Sequence, residues 1–590
     1  MTLVTIILLC AACLAVAYRV YGRLLARLLR LDPDAPTPAV AMRDDMDYAP
    51  IQPKFLMSQH FSAIAAAGPI VGPILAGVMF GWAPALLWIL VGSIFIGGVH
   101  DMTTLVASIR HKARSIAEVV REHMSRRSYV LFLLFVWIAL VYIIVAFTDI
   151  VAASFVGSTE LENGEVVTGG GIATSSMLYL AIPVIMGLLL RFTRLSLNIA
   201  TLIFLPLVGV AIWVGQFIPI DLAPLLSTLG MKDLNPVRAW GVLLLVYCFI
   251  ASIVPLWMLL QPRGHLGGYF LYAALLGGVA GLLFGGHEIK YPAFTGWTSA
   301  TGDSIAPVLF ITIACGACSG FHCLIASGTT SKQLRRESDA KGIGYGAMLM
   351  EGMVAVISLC CVMILATGSP LLSGPAPLPG VIYGHGIGRF LETLGVPMAL
   401  GVSFGLLAFT TFIYDTLDVC TRLGRYIVQE LTGLKGAAGR WIGTIVTAAV
   451  PCCFLVLPTP VDALTRQPQP AWRVFWNLFG ASNQLLAALA LLGVTVWLWR
   501  TRRAAWVWIV AGAPAAFMYV MSTWALARFV RSGFVDPAMA QFTWTSNPVP
   551  WVALVLIGLA LLILVEACLA FARPPQGPVR PALAPQWRPR

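Results

Sequence analysis

Two ionisable side chains stand inside apolar stretches of the sequence, where they could take up and release a proton. His322 lies near the end of one apolar segment and Glu351 near the start of the next, so two antiparallel helices would hold them at similar depth. An ionisable group in a membrane is costly unless it is paired or lines a wet cavity, and an imidazole can exchange a proton with a neighbouring carboxyl group. We therefore predict a proton-coupling pair; a static hydrogen bond between neighbouring helices would explain the same residues.

Further charged residues stand at the ends of apolar segments. Asp418 precedes Arg422 by one helical turn, and this spacing predicts a structural ion pair on one helix face, with Asp415 beside it. Asp149 stands near the end of the fourth segment, where it would belong to an entry gate or to a solvated helix end. We interpret all four residues as candidate gate or scaffold positions.

Helix-breaking residues interrupt two apolar segments. The stretch AAAGPIVGPILAG from Ala65 holds two Gly-Pro pairs, and YCFIASIVPLWM from Tyr247 holds a serine and a proline. Because proline removes a backbone donor and crowds the preceding turn, both segments should kink or unwind, and lipid tolerates the freed groups only beside protein or a wet cavity. A softer third interruption is ITIACGACSGFHCLIASG, for which small-residue packing is an equal alternative. The candidate substrate-binding residues in the first two breaks are Gly68, Pro69, Gly72, Pro73, Ser252 and Pro255.

The elements that must position these residues are membrane helices. Hydrophobic residues make up 59% of the 590 residues and charged residues 11%, against roughly 25% charged in globular proteins. A membrane-length window predicts about fifteen spans. Most of the 38 Lys and Arg residues lie in alternate connecting segments, so the positive-inside rule predicts an external N-terminus and a cytoplasmic C-terminus. The predicted spans are 3–20, 61–82, 83–99, 129–151, 174–190, 195–217, 239–260, 268–284, 304–327, 345–366, 397–414, 441–457, 475–499, 504–527 and 550–571.

The order of the two breaks predicts an inverted repeat. The second and seventh spans run in opposite directions and their starts are separated by five spans, as in inverted five-helix repeats whose discontinuous helices meet at the membrane midplane. N–H groups at a half-helix N-terminus favour an anion such as a carboxylate, whereas exposed carbonyls favour a cation. The topology alone supports this prediction, because the two halves show no sequence similarity.

Several long segments are similar to the carbon starvation protein (CstA) family of membrane transporters. They are HFSAIAAAGPIVGPILAG from His60, ASIVPLWMLLQPRGHL from Ala251, TIACGACSGFHCLIASGTTSKQL from Thr312, DTLDVCTRLGRYIVQEL from Asp415 and WNLFGASNQLLAALALL from Trp476. The resemblance implies proton-coupled uptake of peptides, or in some members pyruvate, across the inner membrane during carbon starvation. It also implies the broken-helix, LeuT/APC-like core of the amino acid, polyamine and organocation transporters. Family motif residues carried over as candidate substrate contacts are Gly316, Ser319, Gly320 and Phe321.

We therefore predict a secondary active transporter working by alternating access. The breaks would hold a substrate carboxylate, His322 or Glu351 would carry the coupling proton, with sodium as a second candidate ion, and His100-Asp101 would cap a cytoplasmic gate. A membrane-embedded nutrient sensor is the alternative, although no segment is long enough for an output domain. No metalloprotease, serine hydrolase or Walker motif indicates an enzyme or an ATP-driven pump.

The remaining expectations concern organisation and partners. We expect a first helix with its connector at 1–60, a ten-helix core at 61–427, additional helices at 428–571 and a cytoplasmic Pro/Arg-rich tail at 572–590. Membrane lipid and a small-molecule or peptide substrate are the expected partners, without nucleic acid, metal or cofactor. The sequence leaves the oligomeric state open.

Overall fold

The chain forms a bundle of long apolar helices, seen in a computed structural model. The structure describes residues 2–44, 48–160, 164, 166–231, 233–255, 257–300, 302–372, 378–457, 469–534 and 548–574, so most of the predicted tail lies outside the described residues. The elements are α1 (Leu3–Arg19), α2 (Tyr21–Leu29), α3 (Pro38–Ala41), α4 (Pro53–Ile64), α5 (Gly68–Phe80), α6 (Trp82–Gly92), α7 (Gly98–Arg110), α8 (Ile116–His123), α9 (Arg126–Val156), β1 (Ser158–Glu160), β2 (Val166–Thr168), α10 (Gly169–Phe192), α11 (Leu197–Phe217), α12 (Leu222–Thr228), α13 (Pro236–Ile253), α14 (Leu260–Phe284), α15 (Ile305–Thr312), α16 (Phe321–Gly328), α17 (Ala347–Met363), α18 (Pro379–Glu392), α19 (Met398–Thr432), α20 (Gly436–Val456), α21 (Ala471–Arg502), α22 (Ala513–Phe534) and α23 (Val549–Phe571).

The helices confirm a multi-pass, all-α membrane protein. Within the described residues, 13 helices are long and apolar enough to cross a membrane, and α4 with α5 forms a further span bent by 46°. Helices α15 and α16, with residues 313–320 between them, occupy the ninth predicted span. Together these elements account for all fifteen predicted spans. Strands β1 and β2 pair as a short antiparallel hairpin between two of the helices.

The interruption of the second span lies just before the two Gly-Pro pairs. Helix α4 ends at Ile64, residues 65–67 are not helical, and α5 begins at Gly68 with Pro69 in its first turn. Proline suits the first turn of a helix, where its missing N–H would have no intrahelical partner, and Pro73 lies inside α5. The span is therefore bent as predicted, with the break at residues 65–67, while Gly68–Pro73 itself is helical.

The predicted break in the seventh span is the end of a helix. Helix α13 ends at Ile253, and α14 starts at Leu260 as a separate span. Arg422 Nη2 donates to the carbonyls of Ala251 and Val254 at 2.6 and 2.7 Å, and Arg425 Nη1 donates to the Ser252 carbonyl at 2.7 Å. These two arginines of α19 satisfy carbonyls that a helix end leaves unpaired. Ser252 and Pro255 therefore belong to a capped helix terminus.

The second interrupted span is the ninth, and it packs against the first. Helix α5 contacts α15 while α4 contacts α16, so the two interrupted spans run antiparallel and side by side. Helix α17 packs along α5, and α7 packs along α16. This is the placement that broken-helix transporters with inverted repeats use. The softer interruption in the sequence is thus the partner of the Gly-Pro span.

Candidate functional site

A chain of buried imidazole and carboxyl groups runs between α7, α16 and α17. His100 Nδ1 lies 2.7 Å from Asp101 Oδ1, and His322 Nδ1 lies 2.7 Å from Asp101 Oδ2. On its other side, His322 Nε2 lies 3.2 Å from Glu351 Oε2. All four side chains are fully buried. The structure thus brings the predicted pair His322 and Glu351 together and adds Asp101, which was predicted only as part of a gate.

Counting charges shows that the row of side chains from His100 to Glu351 can hold one exchangeable proton. His100 and His322 each donate an Nδ1–H to Asp101 if that carboxyl group is ionised, which directs His322 Nε2 toward Glu351. With His322 cationic and Glu351 ionised, Asp101, His322 and Glu351 together carry one negative charge; one more proton makes them neutral. Because an uncompensated buried charge is costly, the state with one net negative charge is less stable in this apolar setting than the neutral state.

Asn483 of α21 forms hydrogen bonds to the break in the ninth span. Asn483 Oδ1 accepts from the Phe321 N–H at 2.9 Å, its Nδ2 lies 3.0 Å from Ser319 Oγ, and its carbonyl accepts from the Gly320 N–H at 3.0 Å. Helix α21 approaches so closely that a Cβ at Gly320 would overlap the Asn483 carbonyl. Ser319, Gly320 and Phe321 thus contact protein, and the Asn483 amide forms hydrogen bonds between helices.

The predicted binding residues of the second span also contact protein. A Cβ on Gly68 would overlap the side chain of Cys315, and one on Gly72 would overlap the Thr312 carbonyl. A Cβ on Gly316 would overlap the side chain of Ala355 in α17. Pro69 and Pro73 are buried with them. The small residues therefore allow two interrupted spans to touch, and their assignment as substrate contacts stays a prediction that this closed arrangement does not itself support.

A second buried network surrounds Arg263, at the start of α14. Its Nε lies 2.8 Å from Asp415 Oδ1, and its Nη1 pairs with Asp418 Oδ2 and with the Tyr247 hydroxyl. Ser62 of α4 donates to the other oxygen of Asp415. The predicted ion pair within α19 was wrong: Asp418 pairs with Arg263, because Arg422 is held by the carbonyls at the end of α13.

A cavity of about 110 Å³ lies beside this network. Its wall is formed by α4, the first turn of α14, the end of α16 with the following turn, and α19. Polar and charged side chains in the wall are Gln59, His60, Ser62, Gln261, Arg263, Thr329, Thr330, Lys332, Gln333, Asp415, Asp418, Arg422 and Tyr426. His60 Nδ1 is 2.9 Å from Thr330 Oγ1, so its ring is oriented by a fixed partner. The cavity therefore combines cationic and anionic groups beside the first half of one interrupted span and the second half of the other.

Two further groups of ionisable side chains lie away from these networks. Asp149 Oδ2 accepts the Trp472 N–H at 2.8 Å, so this partly buried carboxylate caps the start of α21, and the solvated helix end is excluded. Among the described residues, His111, Glu122 and His123 form a group whose ligand atoms lie within 4.8 Å of one another. The two histidine Nε2 atoms are 2.8 Å apart, a hydrogen-bond distance that satisfies them without a metal ion.

Comparison with known proteins decides the family. The model of the carbon starvation protein CstA family matches residues 2–372 and 370–525. The chain belongs to the CstA family. The pyruvate/proton symporter BtsT of Escherichia coli K12 is 31% identical to this CstA-family chain over 90% of this chain and 82% of the relative. The peptide transporter CstA of Bacillus subtilis 168 is 29% identical over 97% and 98%, and that of Escherichia coli K12 is 31% identical over 86% and 78%.

Solved structures are only distantly similar to this CstA-family chain. The crystal structure of MhsT in complex with L-phenylalanine has a TM-score of 0.43 and 11% identity, covering 88% of this chain and 98% of that chain. The relatives named as transporters agree with the expectation that the chain is not an enzyme.

Sequence reasoning missed Arg263, His60 and Lys332. Arg263 follows the Gln-Pro pair at the start of a span, and its position suggested only a basic residue in a cytoplasmic connection. The two aspartates three residues apart in one helix did suggest an ion pair, but the spacing pointed to Arg422 in the same helix. The distance between α14 and α19 cannot be read from the sequence, so the partner could not be identified.

Proposed function

We propose that this chain is a secondary active transporter of the cell inner membrane that imports a small carboxylate nutrient, pyruvate or a short peptide, together with a proton. The observation that carries the proposal is the buried chain from His100 through Asp101 and His322 to Glu351. A relative is named a pyruvate/proton symporter and others are named peptide transporters. The positive-inside bias supports an external N-terminus.

The chemistry of the buried chain favours a proton over sodium. Hard cations take oxygen ligands, whereas the centre of this chain is the His322 imidazole, with nitrogen atoms facing both carboxyl groups. His322 Nε2 and Glu351 Oε2 are 3.2 Å apart, so a side-chain rotation that aligns them would let a proton pass between them. We therefore assign the proton as coupling ion and Glu351 with His322 as its binding site.

Alternating access follows from the two interrupted spans. Helices α5 and α15 pack tightly, whereas a cavity lies between the other halves, α4 and α16. In the proposed orientation, the closed side is external and the cavity lies toward the cytoplasm. His322 stands in α16 and Glu351 in α17, which packs along α5, so protonation at their contact acts on the halves that must move apart.

A proteoliposome experiment tests this function. An inward proton gradient should drive accumulation of labelled pyruvate or of a dipeptide by the wild-type protein. Glu351→Gln keeps the size of the side chain but cannot lose a proton, so gradient-driven accumulation should fall at least tenfold. Glu392→Gln, an exposed carboxylate paired with Arg389, is the matched control and should transport normally.

Two results would contradict the proposal. One is the absence of gradient-driven accumulation of pyruvate and of dipeptides by the wild-type protein. The other is a Glu351→Gln variant with unchanged rate and unchanged dependence on pH. Counterflow, the exchange of internal for external substrate, separates a carrier from a sensor because a sensor moves no substrate.

A further inference from the structure

We infer that the cavity beside Arg263 is a binding site for a small monocarboxylate, with Lys332 and Arg263 as its cationic groups and His60 as a polar contact. This inference rests on the proposed function, because it identifies where the transported carboxylate binds. It differs from the sequence-based prediction, which placed the substrate at Gly68–Pro73, at Ser252 and Pro255, and at the break of the ninth span. Residues at all three places make contacts within the protein.

Unpartnered polar atoms of buried side chains mark this cavity as a ligand site. Arg263 is 1% exposed and His60 is 2% exposed. Among the described residues, Arg263 Nη2, His60 Nε2 and Asp418 Oδ1 have no hydrogen-bond partner. Leaving such groups unpaired is unfavourable, most of all for a charged group. Arg263 and His60 both line the cavity, and their unpartnered N–H groups are donors of the kind that bind carboxylate oxygens once the side chains turn toward a ligand.

The charge of the wall favours a monoanion over a zwitterion. Arg263, Lys332 and Arg422 are cationic, while Asp415 and Asp418 are anionic, so ionised side chains leave one excess positive charge. Arg263 is paired with both aspartates and Arg422 with backbone carbonyls. Lys332, whose ammonium lies 5.8 Å from the ring centre of Tyr48, also interacts electrostatically with Glu430, which lies outside the cavity wall. Within the wall, Lys332 therefore supplies the excess charge. A monocarboxylate neutralises it; a peptide zwitterion does not.

The size of the cavity supports the same choice. Its volume is about 110 Å³, below the roughly 300–1,000 Å³ of pockets for drug-sized ligands. A molecule of a few heavy atoms fits such a space, whereas even a dipeptide requires it to expand. The volume and the charge of the cavity thus both favour small monocarboxylic acids such as pyruvate.

His60 connects this cavity to the proton site. It lines the cavity and also lies within range of Coulombic interaction with Asp101 and His322. Ile325, one turn after His322 in α16, lines the cavity as well. An anion bound at His60 therefore changes the electrostatic energy of the proton held between His322 and Glu351, which is the link that symport requires.

Binding of pyruvate to the purified full-length protein tests the site directly. Isothermal titration calorimetry in detergent should give a measurable Kd for wild type and weaker binding of L-alanine and L-alanyl-L-alanine. Lys332→Gln should raise the Kd for pyruvate about 10-fold or more, as loss of a charge-assisted hydrogen bond predicts. Lys54→Gln, an exposed lysine of α4 outside the cavity wall, should leave it unchanged.

His60 offers a second, matched pair of variants. An asparagine amide can replace Nδ1 toward Thr330 but cannot reach the position of Nε2, whereas a glutamine amide can. His60→Asn should therefore weaken pyruvate binding severalfold more than His60→Gln. Thermal unfolding of each variant verifies folding, so a loss of binding without a loss of stability reports on the site.

The outcomes separate this inference from the proposed function. Wild-type pyruvate binding that Lys332→Gln weakens, without uptake in proteoliposomes, supports the site and contradicts transport. Uptake by Lys332→Gln with a wild-type KM supports transport and overturns the site. Tighter binding of the dipeptide than of pyruvate, or no binding of any of the three compounds by wild type, also overturns it.

Discussion

Gly68 lies where the two interrupted spans come closest together. Its position at the start of α5 places the backbone against Cys315, in the break between α15 and α16. Even one additional carbon atom would overlap the Cys315 side chain. Since protein interiors are close-packed, such an overlap displaces backbone as well as side chains. Contact between the spans thus depends on the absence of a side chain at this residue.

Gly68→Ala should destabilise the protein by about 1–3 kcal/mol, the usual cost of overpacking. The measurement is the thermal unfolding midpoint in detergent. Gly209→Ala in α11 is the control, because no atom lies within 4 Å of the added carbon; alanine there should be neutral or slightly stabilising. Equal losses of stability in both variants would show that helix propensity, and not the contact with Cys315, controls the effect.

Among the helices, the ninth span requires a partner because its break exposes backbone groups within the membrane. Asn483 of α21 accepts the Phe321 N–H with its side chain and the Gly320 N–H with its carbonyl. Trp88 of α6 donates from Nε1 to the Ile313 carbonyl at 3.3 Å. Backbone groups at membrane depth need such partners. Helix α21 is therefore packed into the break of the ninth span although it lies late in the chain.

Asn483→Leu should cost about 1–3 kcal/mol, because it leaves the Phe321 N–H and the Ser319 hydroxyl without this partner. Hydrogen exchange of residues 313–321 should accelerate together with the loss of thermal stability. The neighbouring Ser482→Ala is the control, since the Ser482 hydroxyl donates to the Leu478 and Phe479 carbonyls of its own helix and does not contact the break. Unchanged exchange in Asn483→Leu would contradict the assigned role.

At the scale of the whole molecule, α8 joins the core to the C-terminal helices. His123 at its end contacts His111, which follows α7, and Arg500 of α21 donates from Nη1 to the His123 carbonyl at 2.7 Å. Burial lowers the pKa of His111, while the Ala107 carbonyl and Glu122 raise it and Arg114 and Arg110 lower it further. The net direction is downward, so the folded protein favours neutral His111.

Stability should therefore fall as the pH decreases below about 6.5, the ordinary pKa of histidine. A folded-state pKa below the unfolded value means that the unfolded chain binds the proton more readily, so His111 contributes fully above that pH and progressively less below it. The slope is at most about 1.4 kcal/mol per pH unit for one proton. Unfolding midpoints from pH 7.5 to 5.5 should show a smaller decline for His111→Gln than for wild type. Equal declines would exclude His111 as the titrating group.

The class of the protein and the approximate positions of its spans were predictable from the sequence alone. Apolar periodicity and length suffice for that result, because the membrane imposes one helix length on every span. Buried ionisable residues were also recognisable, since they are rare in apolar segments, and His322 and Glu351 were placed together by counting residues from the ends of antiparallel helices. Both inferences use only local geometry and the membrane boundary.

Only the tertiary structure decided which groups meet across the bundle. The partner of Asp418 is Arg263 and not Arg422, and the partner of the Gly-Pro span is the ninth span and not the seventh. The Gly-Pro pairs allow close packing beside a break that begins at Ala65. Such pairings depend on distances between helices far apart in the chain, where many arrangements satisfy the same pattern of apolar residues. In each arrangement, different side chains would pair with the same carbonyls and carboxylates and fill the same volume. Only the folded bundle determines which of these pairs form.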